Sequence, residues 1–555
     1  MEKLKPRIPY IILIIFAVAL IFRAFFGFCS SDEPFYLSTT KRLFEGDLIF
    51  VHEWFPTQLS SLILLPFYAL YVTVKGSAEG IILFFRILYV IITLIISCIS
   101  YHIITKRNGI LAGISCALFM LFFVHLNIAT LSYYTMSFEF FIFAMLLIST
   151  KNRFNLIIGG FFFALAVLSL PSLAITYIAA FFVIFLLSLK FETLRNSLLY
   201  STVGILAALL IFVIFLYASG NNLHNLFEYL PYVLSDDEHQ TSLVAPFKKF
   251  FLSVSDVYGK VFYLSFVLAF LGLLSNKFRK LIPYIFVSDC ILFVYYAILS
   301  IGHTGYMNTA FALFAGPVFF MCRKKDWYSF FFLFLGGMIV SMTYSYSSNG
   351  ELYVLSIGHG IACVGSILFI DGFTKENSQL IRYVSTAVIC LFLLQTCILR
   401  FINVYRDAPL KELNVKITEG PAKGLYTTAS HEEIYSSLLS DIRKYASDPG
   451  YILFSKLLPW GYLESGMHCS GLTTWRNKIN SERLKEFYDL FPERKPDVIF
   501  LLDADVGSYD SCGDIEADPA PNENEWGGYL ADYIDSTNFN QIRCDHATVY
   551  LKASP

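Results

Sequence analysis

Charge is what this chain has least of. Only 15% of its 555 residues are Asp, Glu, Lys or Arg, where a water-soluble globular protein carries about 25%. An ordinary soluble enzyme is excluded on that ground. The eleven cysteines form no C-x-x-C pair and no zinc-ligand spacing, so the fold rests neither on a disulfide framework nor on a zinc module. Most lie in apolar runs, where a thiol acts as a small hydrophobe. No stripe of Lys and Arg interleaved with aromatics occurs, and the formal net charge is −2; nucleic acid is not an expected partner. The patterns G-x-x-x-x-G-K-[ST], G-x-S-x-G and H-E-x-x-H are missing, which leaves no motif for a P-loop, α/β-hydrolase or zincin chemistry. No internal repeat is visible, so a transporter built from inverted repeats gains no support.

Apolar residues fill the space. The chain is 56% hydrophobic, with a mean hydropathy of +0.60. Apolar runs of about twenty residues recur, the length that crosses a bilayer. In lipid the backbone must bond to itself, so each run reads as a helix. The start, MEKLKPRIPY, resembles that of a signal peptide, but Arg23 interrupts the run and no A-x-A site follows. It reads as an uncleaved first helix with Lys3, Lys5 and Arg7 in the cytoplasm. Basic pairs and triplets (Lys106/Arg107, Lys151/Arg153, Lys190/Arg195, Lys277/Arg279/Lys280, Arg323/Lys324/Lys325, Lys375/Arg382) alternate with gaps such as 300–308 and 345–352 that hold no Lys or Arg. The alternation follows the positive-inside rule. It closes at about thirteen transmembrane helices if the run from Thr57 to Val74, which holds Pro66, lies in the outer interface without crossing.

That topology places a first external loop at 29–79 and a second at 219–257. The transmembrane part is 1–403, and 404–555 is an extracytoplasmic domain. The later segment carries an excess of acids, concentrated between Asp503 and Asp545. Helical patterns near Glu432–Tyr445 and Ser481–Leu490 alternate with strand-like runs at 451–454 and 497–502, which predicts a small α/β domain. Cys469, Cys512 and Cys544 fall in it; one disulfide could form, with no pairing readable.

Asp32 and Glu33 stand side by side where the chain leaves the first helix. Adjacent carboxylates repel unless a cation or metal offsets them. One could take a proton from an acceptor hydroxyl, while the other positions it or holds a divalent ion such as Mg or Mn. The plain alternative is a solvated loop start. The loop is about fifty residues long, which favours function, and it also carries His52 and Glu53 in "HEWFP". Arg86 sits inside a crossing helix, where it needs a partner, a lipid phosphate or a path to the headgroups. Tyr133 and Tyr134 mark a short external turn, as a sugar-stacking pair or as part of an interfacial aromatic belt. Asp236, Asp237, Glu238 and His239 read as a cation or acceptor site or as a solvated charge run. Lys423, between glycines in "EGPAKGLYTT", could add charge to an anion-binding nest of backbone N–H groups or belong to a simple turn.

The order of these features resembles the C-type (GT-C) integral membrane glycosyltransferase superfamily. A first helix is followed by D-E, by Tyr36, by "GD" at 46–47, by an interfacial helix, and by an Arg at the head of the second crossing helix. The branch it is most similar to holds the protein O-mannosyltransferases and the lipid A aminoarabinose transferase. The resemblance spans about the first 190 residues in motif order and is architectural beyond them. It implies transfer of a sugar from a polyprenyl-phosphate donor to a cell-envelope acceptor on the outer face of the plasma membrane, with inversion. It makes Asp32 the general base or the acceptor- or metal-binding acid, supported by Glu33. Glu53, His52, Arg86, Tyr36, Tyr133, Tyr134 and Lys423 become the substrate-binding candidates. Two departures stand out: Glu53 is followed by Trp54 where the family often has lysine, and the Tyr pair stands where some members carry Asp, with Glu139 nearby. The runner-up reading is a transporter or flippase of an amphipathic lipid-linked substrate; a related glycan polymerase or ligase would keep the chemistry and change the acceptor.

Overall fold

The computed structural model describes residues 7–235, 245–275, 277–345, 351–455, 457–475, 481–503, 506 and 528–553. Asp236 to His239 and Cys512 lie outside them.

Helix α1 (Ile8–Arg23) opens with Pro9 in its first turn, where a missing N–H costs nothing. It ends where the Arg23 guanidinium turns back to bond the carbonyls of Phe26, Phe401 and Asn403 at 2.7–2.8 Å. Helix α2 (Asp32–Phe44) has acids in its first turn and Lys41 and Arg42 in its last, the arrangement the helix dipole favours. It is buried from Glu33 to Leu43. The segment 29–79 therefore opens on a packed helix. Helix α3 (Ser60–Lys75) contains Pro66 and stops at Gly76 in a left-handed conformation. Helix α4 (Ile81–Asn108), at 28 residues, rises about 42 Å. Helices α5 (Ile110–Phe122) and α6 (Tyr133–Ser149) follow, and Ser132 caps α6 in a reciprocal box with Thr135.

Among the described residues, seven helices are long and apolar enough to cross a membrane: Ile81–Asn108, Glu192–Ala218, Phe247–Ser275, Arg279–Leu299, Trp327–Tyr344, Ile357–Glu376 and Gln379–Ile402. By length and composition these are the helices of a multi-pass membrane protein. The number is smaller than the thirteen expected because several apolar runs fold into shorter pieces. Ile8–Arg23 and Arg153–Ser169 have 16 and 17 residues, or about 24 and 26 Å against a hydrocarbon core of about 30 Å; Ser60–Lys75, at 16 residues, is the run expected not to cross. The second external segment also departs from expectation: it holds helices Leu223–Leu234 and Ala245–Tyr258, and a candidate span already begins at Phe247. Helix Ile357–Glu376 lies at the centre, buried along almost its whole length. Gly358 lets it touch helix Gly336–Tyr344, for a Cβ there would strike the Gly337 carbonyl.

Beyond Asn403 the chain forms a two-stranded ladder, β1 (Val415–Lys416) with β2 (Tyr426–Thr427), and a five-stranded sheet. The sheet contains β3 (Tyr451–Ser455), β4 (His468–Cys469), β5 (Val498–Leu502), β6 (Phe539–Arg543) and β7 (Ala547–Lys552) in the order β4-β3-β5-β7-β6. The first three strands are parallel, and β5–β7 and β7–β6 are antiparallel. Both strand-like runs become strands, and helices Ala429–Tyr445 and Ser481–Leu490 fall on the helical patterns. Cys469 and Cys544 are free thiols.

This region seats directly on the first external segment. Lys41 Nζ donates to the carbonyls of Tyr462 and Ser465 at 2.7 and 2.6 Å, and Ser38 Oγ to Thr474 Oγ1 at 2.8 Å. Gly27 N donates to the Tyr426 carbonyl at 2.9 Å, and Tyr426 N returns to Phe25 at 2.7 Å. Gly27 allows this approach: its φ is +91°, and a Cβ would stand 2.5 Å from Val404 Cγ1.

Candidate functional site

The two adjacent carboxylates at the head of α2 have different fates. Glu33 faces inward. Arg86 of α4 clamps it through Nε at 3.0 and 3.1 Å and through a close Nη2 contact, while Arg86 Nη1 bonds the Ala24 carbonyl at 2.9 Å. Both side chains are nearly excluded from water, at 3% and 6% exposure. Arg86 is thus engaged by protein, joining the end of α1 to α2 and α4. Asp32 faces outward and is 13% exposed. Its Oδ2 accepts from the Tyr405 hydroxyl at 2.9 Å and from Ser31 Oγ at 3.4 Å, and it pairs with Arg406 Nη1 at 3.1 Å.

Tyr36 lies one turn along α2 from Asp32, and its ring meets Tyr133 edge-on at 5.5 Å between centroids. Tyr133 and Tyr134 are 4.0 Å apart; Tyr134 in turn meets His125 at 4.8 Å and Tyr344 at 5.8 Å. The rings border Asp32: burial, then the Asp32 charge, raises the Tyr36 and Tyr405 hydroxyls well above the ordinary phenol value. Below them the guanidiniums of Arg23, Arg86 and Arg400 lie close enough to repel one another. Arg400 reaches Asn127 Oδ1 at 3.4 Å, and its Nε has no partner. Arg406, Leu126 and Asn127 all hold left-handed backbone, at φ +48°, +52° and +61°, an unfavourable state for residues with side chains.

Four contributors escaped sequence reading. Tyr405 and Arg406 lie in what reads as a linker, His125 in a short apolar break, and Arg400 at the end of a span. The available signal was the pairing of aromatic and cation in "VYRD" just beyond the membrane.

His52 and Glu53 fall elsewhere. They belong to an ion-pair network at the far end of α2, about 15 Å along the helix from Asp32. Arg42 bonds Asp47 Oδ2 at 2.6 Å and Glu53 Oε2 at 2.9 Å, and Arg494 bonds Asp47 Oδ1 at 2.6 Å. His52 Nδ1 accepts from Leu48 N and Arg494 Nη2, both at 3.0 Å. Burial, opposed and outweighed by Arg42 and Arg494, leaves the Asp47 carboxyl lowered to about 2. Burial, aided by Arg494, lowers His52 to about 4. Trp54 is sandwiched beside this network by Tyr232 at 4.8 Å and Phe487 at 5.2 Å. The network therefore fastens the first external segment to the C-terminal region. Lys423 sits in a turn closed by Lys423 N to the Gly420 carbonyl and pairs with Glu79 at 3.0 Å.

A divalent ion on Asp32 and Glu33 would have to displace two guanidiniums. No cluster of three metal-ligating side chains exists among the described residues, and the donor set does not fit Mg or Mn. What the arrangement offers is one accessible carboxylate, a tyrosine-rich wall and a surplus of buried positive charge. Compared with known families and curated proteins, the chain matches no family model and no curated protein.

Proposed function

We propose that the chain is an inverting membrane glycosyltransferase of the plasma membrane, with its N-terminus cytoplasmic and residues 404–555 outside. A polyprenyl-phosphate sugar is the donor, and a glycan, lipid or protein of the cell envelope is the acceptor. The observation that carries this reading is Asp32: a partly open carboxylate held by Tyr405 and Arg406 beside the Tyr36–Tyr133–Tyr134 wall. Chemistry on the outer face has no nucleotide donor at hand, and a lipid phosphate carries the bond energy with it. Asp32 takes the acceptor hydroxyl proton. The acceptor oxygen attacks the anomeric carbon from the face opposite the phosphate. The old carbon–oxygen bond breaks, and its electron pair leaves on the polyprenyl phosphate. Arg400 and Arg406 suit the charge that develops there. Glu33 and Arg86 position α2 and take no part in bond making.

One feature favours the second reading, a transporter. Asp289 is buried within the candidate span Arg279–Leu299, and among the described residues both of its carboxylate oxygens lack a partner; such intramembrane acids often mark ion or proton paths. The deciding experiment offers purified protein a panel of polyprenyl-phosphate sugars, beside Asp32→Asn. Sugar release by the parent and its loss in the variant support the transferase. Intact lipid binding without release of any sugar sinks it and favours transport.

A further inference from the structure

Two buried side chains beside the tyrosine wall have polar atoms that no other described residue satisfies. Among the described residues, both ring nitrogens of His125 and the hydroxyl of Tyr36 are without hydrogen-bond partners, although each residue is only 2% exposed. A buried polar group without a partner is costly to keep. They flank one aromatic pair: Tyr36 rests on the edge of Tyr133, and His125 lies against Tyr134. His125 follows Phe123 and Val124 out of α5 and is held by a strained turn at Leu126 and Asn127.

The chemistry of this pair is specific. Burial pushes the His125 imidazole down to about 3, so it stays neutral at any physiological pH. A neutral imidazole donates from one nitrogen and accepts at the other, and a phenol does both with one oxygen. A sugar hydroxyl is the matching group, and the face of a sugar ring can lie against aromatic rings. A cationic substituent has no counterpart here. Glu33 is consumed by Arg86, Asp32 is paired with Arg406, Glu139 farther along α6 accepts from the Thr93 hydroxyl, and Arg23, Arg86 and Arg400 supply further positive charge.

We propose that His125, the Tyr36 hydroxyl and the Tyr133–Tyr134 pair form the subsite for the transferred sugar, and that this sugar is a neutral, hydroxylated one and not an amino sugar. The inference rests on the transferase reading. It departs from the aminoarabinose side of the resemblance, whose sugar carries a cation.

The test uses the full chain in lipid nanodiscs with two donors on the same polyprenyl phosphate, one a neutral hexose and one a 4-amino pentose. Donor binding is followed by quenching of intrinsic fluorescence, and sugar release is followed separately. The expected result is at least a tenfold higher kcat/KM for the neutral donor. His125→Phe should lower that kcat/KM by about 10²-fold, with His125→Gln recovering part of it, because a site built to bond a hydroxyl penalises a lost partner. Tyr36→Phe, which removes one oxygen and little packing, should cost about tenfold and covers the case in which the His125 variant does not fold. A preference for the amino sugar would overturn the subsite while leaving the transferase reading intact. So would an unchanged kcat/KM in Tyr36→Phe and in a folded His125→Phe. Polyprenyl phosphate that binds while neither sugar is released overturns the transferase reading and the subsite together.

Discussion

Neighbouring residues on a helix project about 100° apart. That rotation sends Glu33 to Arg86 and Asp32 to Tyr405 and Arg406. The two carboxylates therefore answer substitution differently. Asp32→Asn should leave the unfolding temperature within a degree or two and lower sugar transfer by about 10²- to 10⁴-fold, as expected for loss of a general base. Transfer at the parental rate in a folded Asp32→Asn protein would remove Asp32 from the chemistry. Arg86→Ala should instead destabilise the protein by about 3–5 kcal/mol, because it strands a buried carboxylate. Thermal unfolding in detergent reads that loss, and a stability equal to the parent's would mean that Glu33 has found water. The adjacency of the two acids was legible in the sequence, and so was the need of Arg86 for a partner. Which acid Arg86 would take was not, since the choice depends on the azimuth of α2 against α4.

At the scale of elements, apolar runs and their basic flanks predicted helices, and helices formed. Their lengths were less readable. Helix α1 has 16 residues and α5 has 13, each too short to span unaided, while α3, with Pro66 inside it and the left-handed Gly76 at its end, is short as expected. Close packing was hidden as well, because a glycine in a helix reads as a weak spot until its neighbour is known. Gly358→Val should show its role: the new side chain meets the Gly337 carbonyl, so helices Gly336–Tyr344 and Ile357–Glu376 must separate. A fall of several degrees in unfolding temperature and a lower yield of monodisperse protein are expected. A variant as stable as the parent would show that the helices can slide apart without cost. Gly27→Ala tests the junction of α1 with the segment after Asn403 in the same way, through both its positive φ and the 2.5 Å approach to Val404.

Across the whole molecule, the first external segment and the C-terminal region are fastened by charge. Arg42 and Arg494 face Asp47 and Glu53 in near-complete burial, and His52 accepts two N–H donors at Nδ1. Protonating Nδ1 breaks both bonds. Because the folded state lowers His52 from 6.5 to about 4, its contribution is fully present above about pH 6.5. It is lost progressively as pH falls toward 4, by up to about 3 kcal/mol. Asp47, lowered from 3.8 to about 2, keeps its contribution above about pH 4 and loses it toward pH 2. Unfolding curves at pH 7, 5.5 and 4 should thus diverge between the parent and His52→Asn, with the parent losing more stability on acidification. Parallel curves for the two proteins would show that His52 takes up its proton as readily when folded as when unfolded.

The sequence by itself determined the membrane character, the helical segments and the α/β alternation after residue 404. These follow from local composition and periodicity, which bilayer and backbone physics translate directly into structure. Only the tertiary structure decided which charged groups meet. It gave Arg86 to Glu33, moved His52 and Glu53 into a fastening network, brought Tyr405 and Arg406 to Asp32, and set His125 against Tyr134. Contacts between residues separated by hundreds of positions, 373 for Asp32 with Tyr405 and 447 for Asp47 with Arg494, depend on how helices pack and rotate, and no local pattern records that.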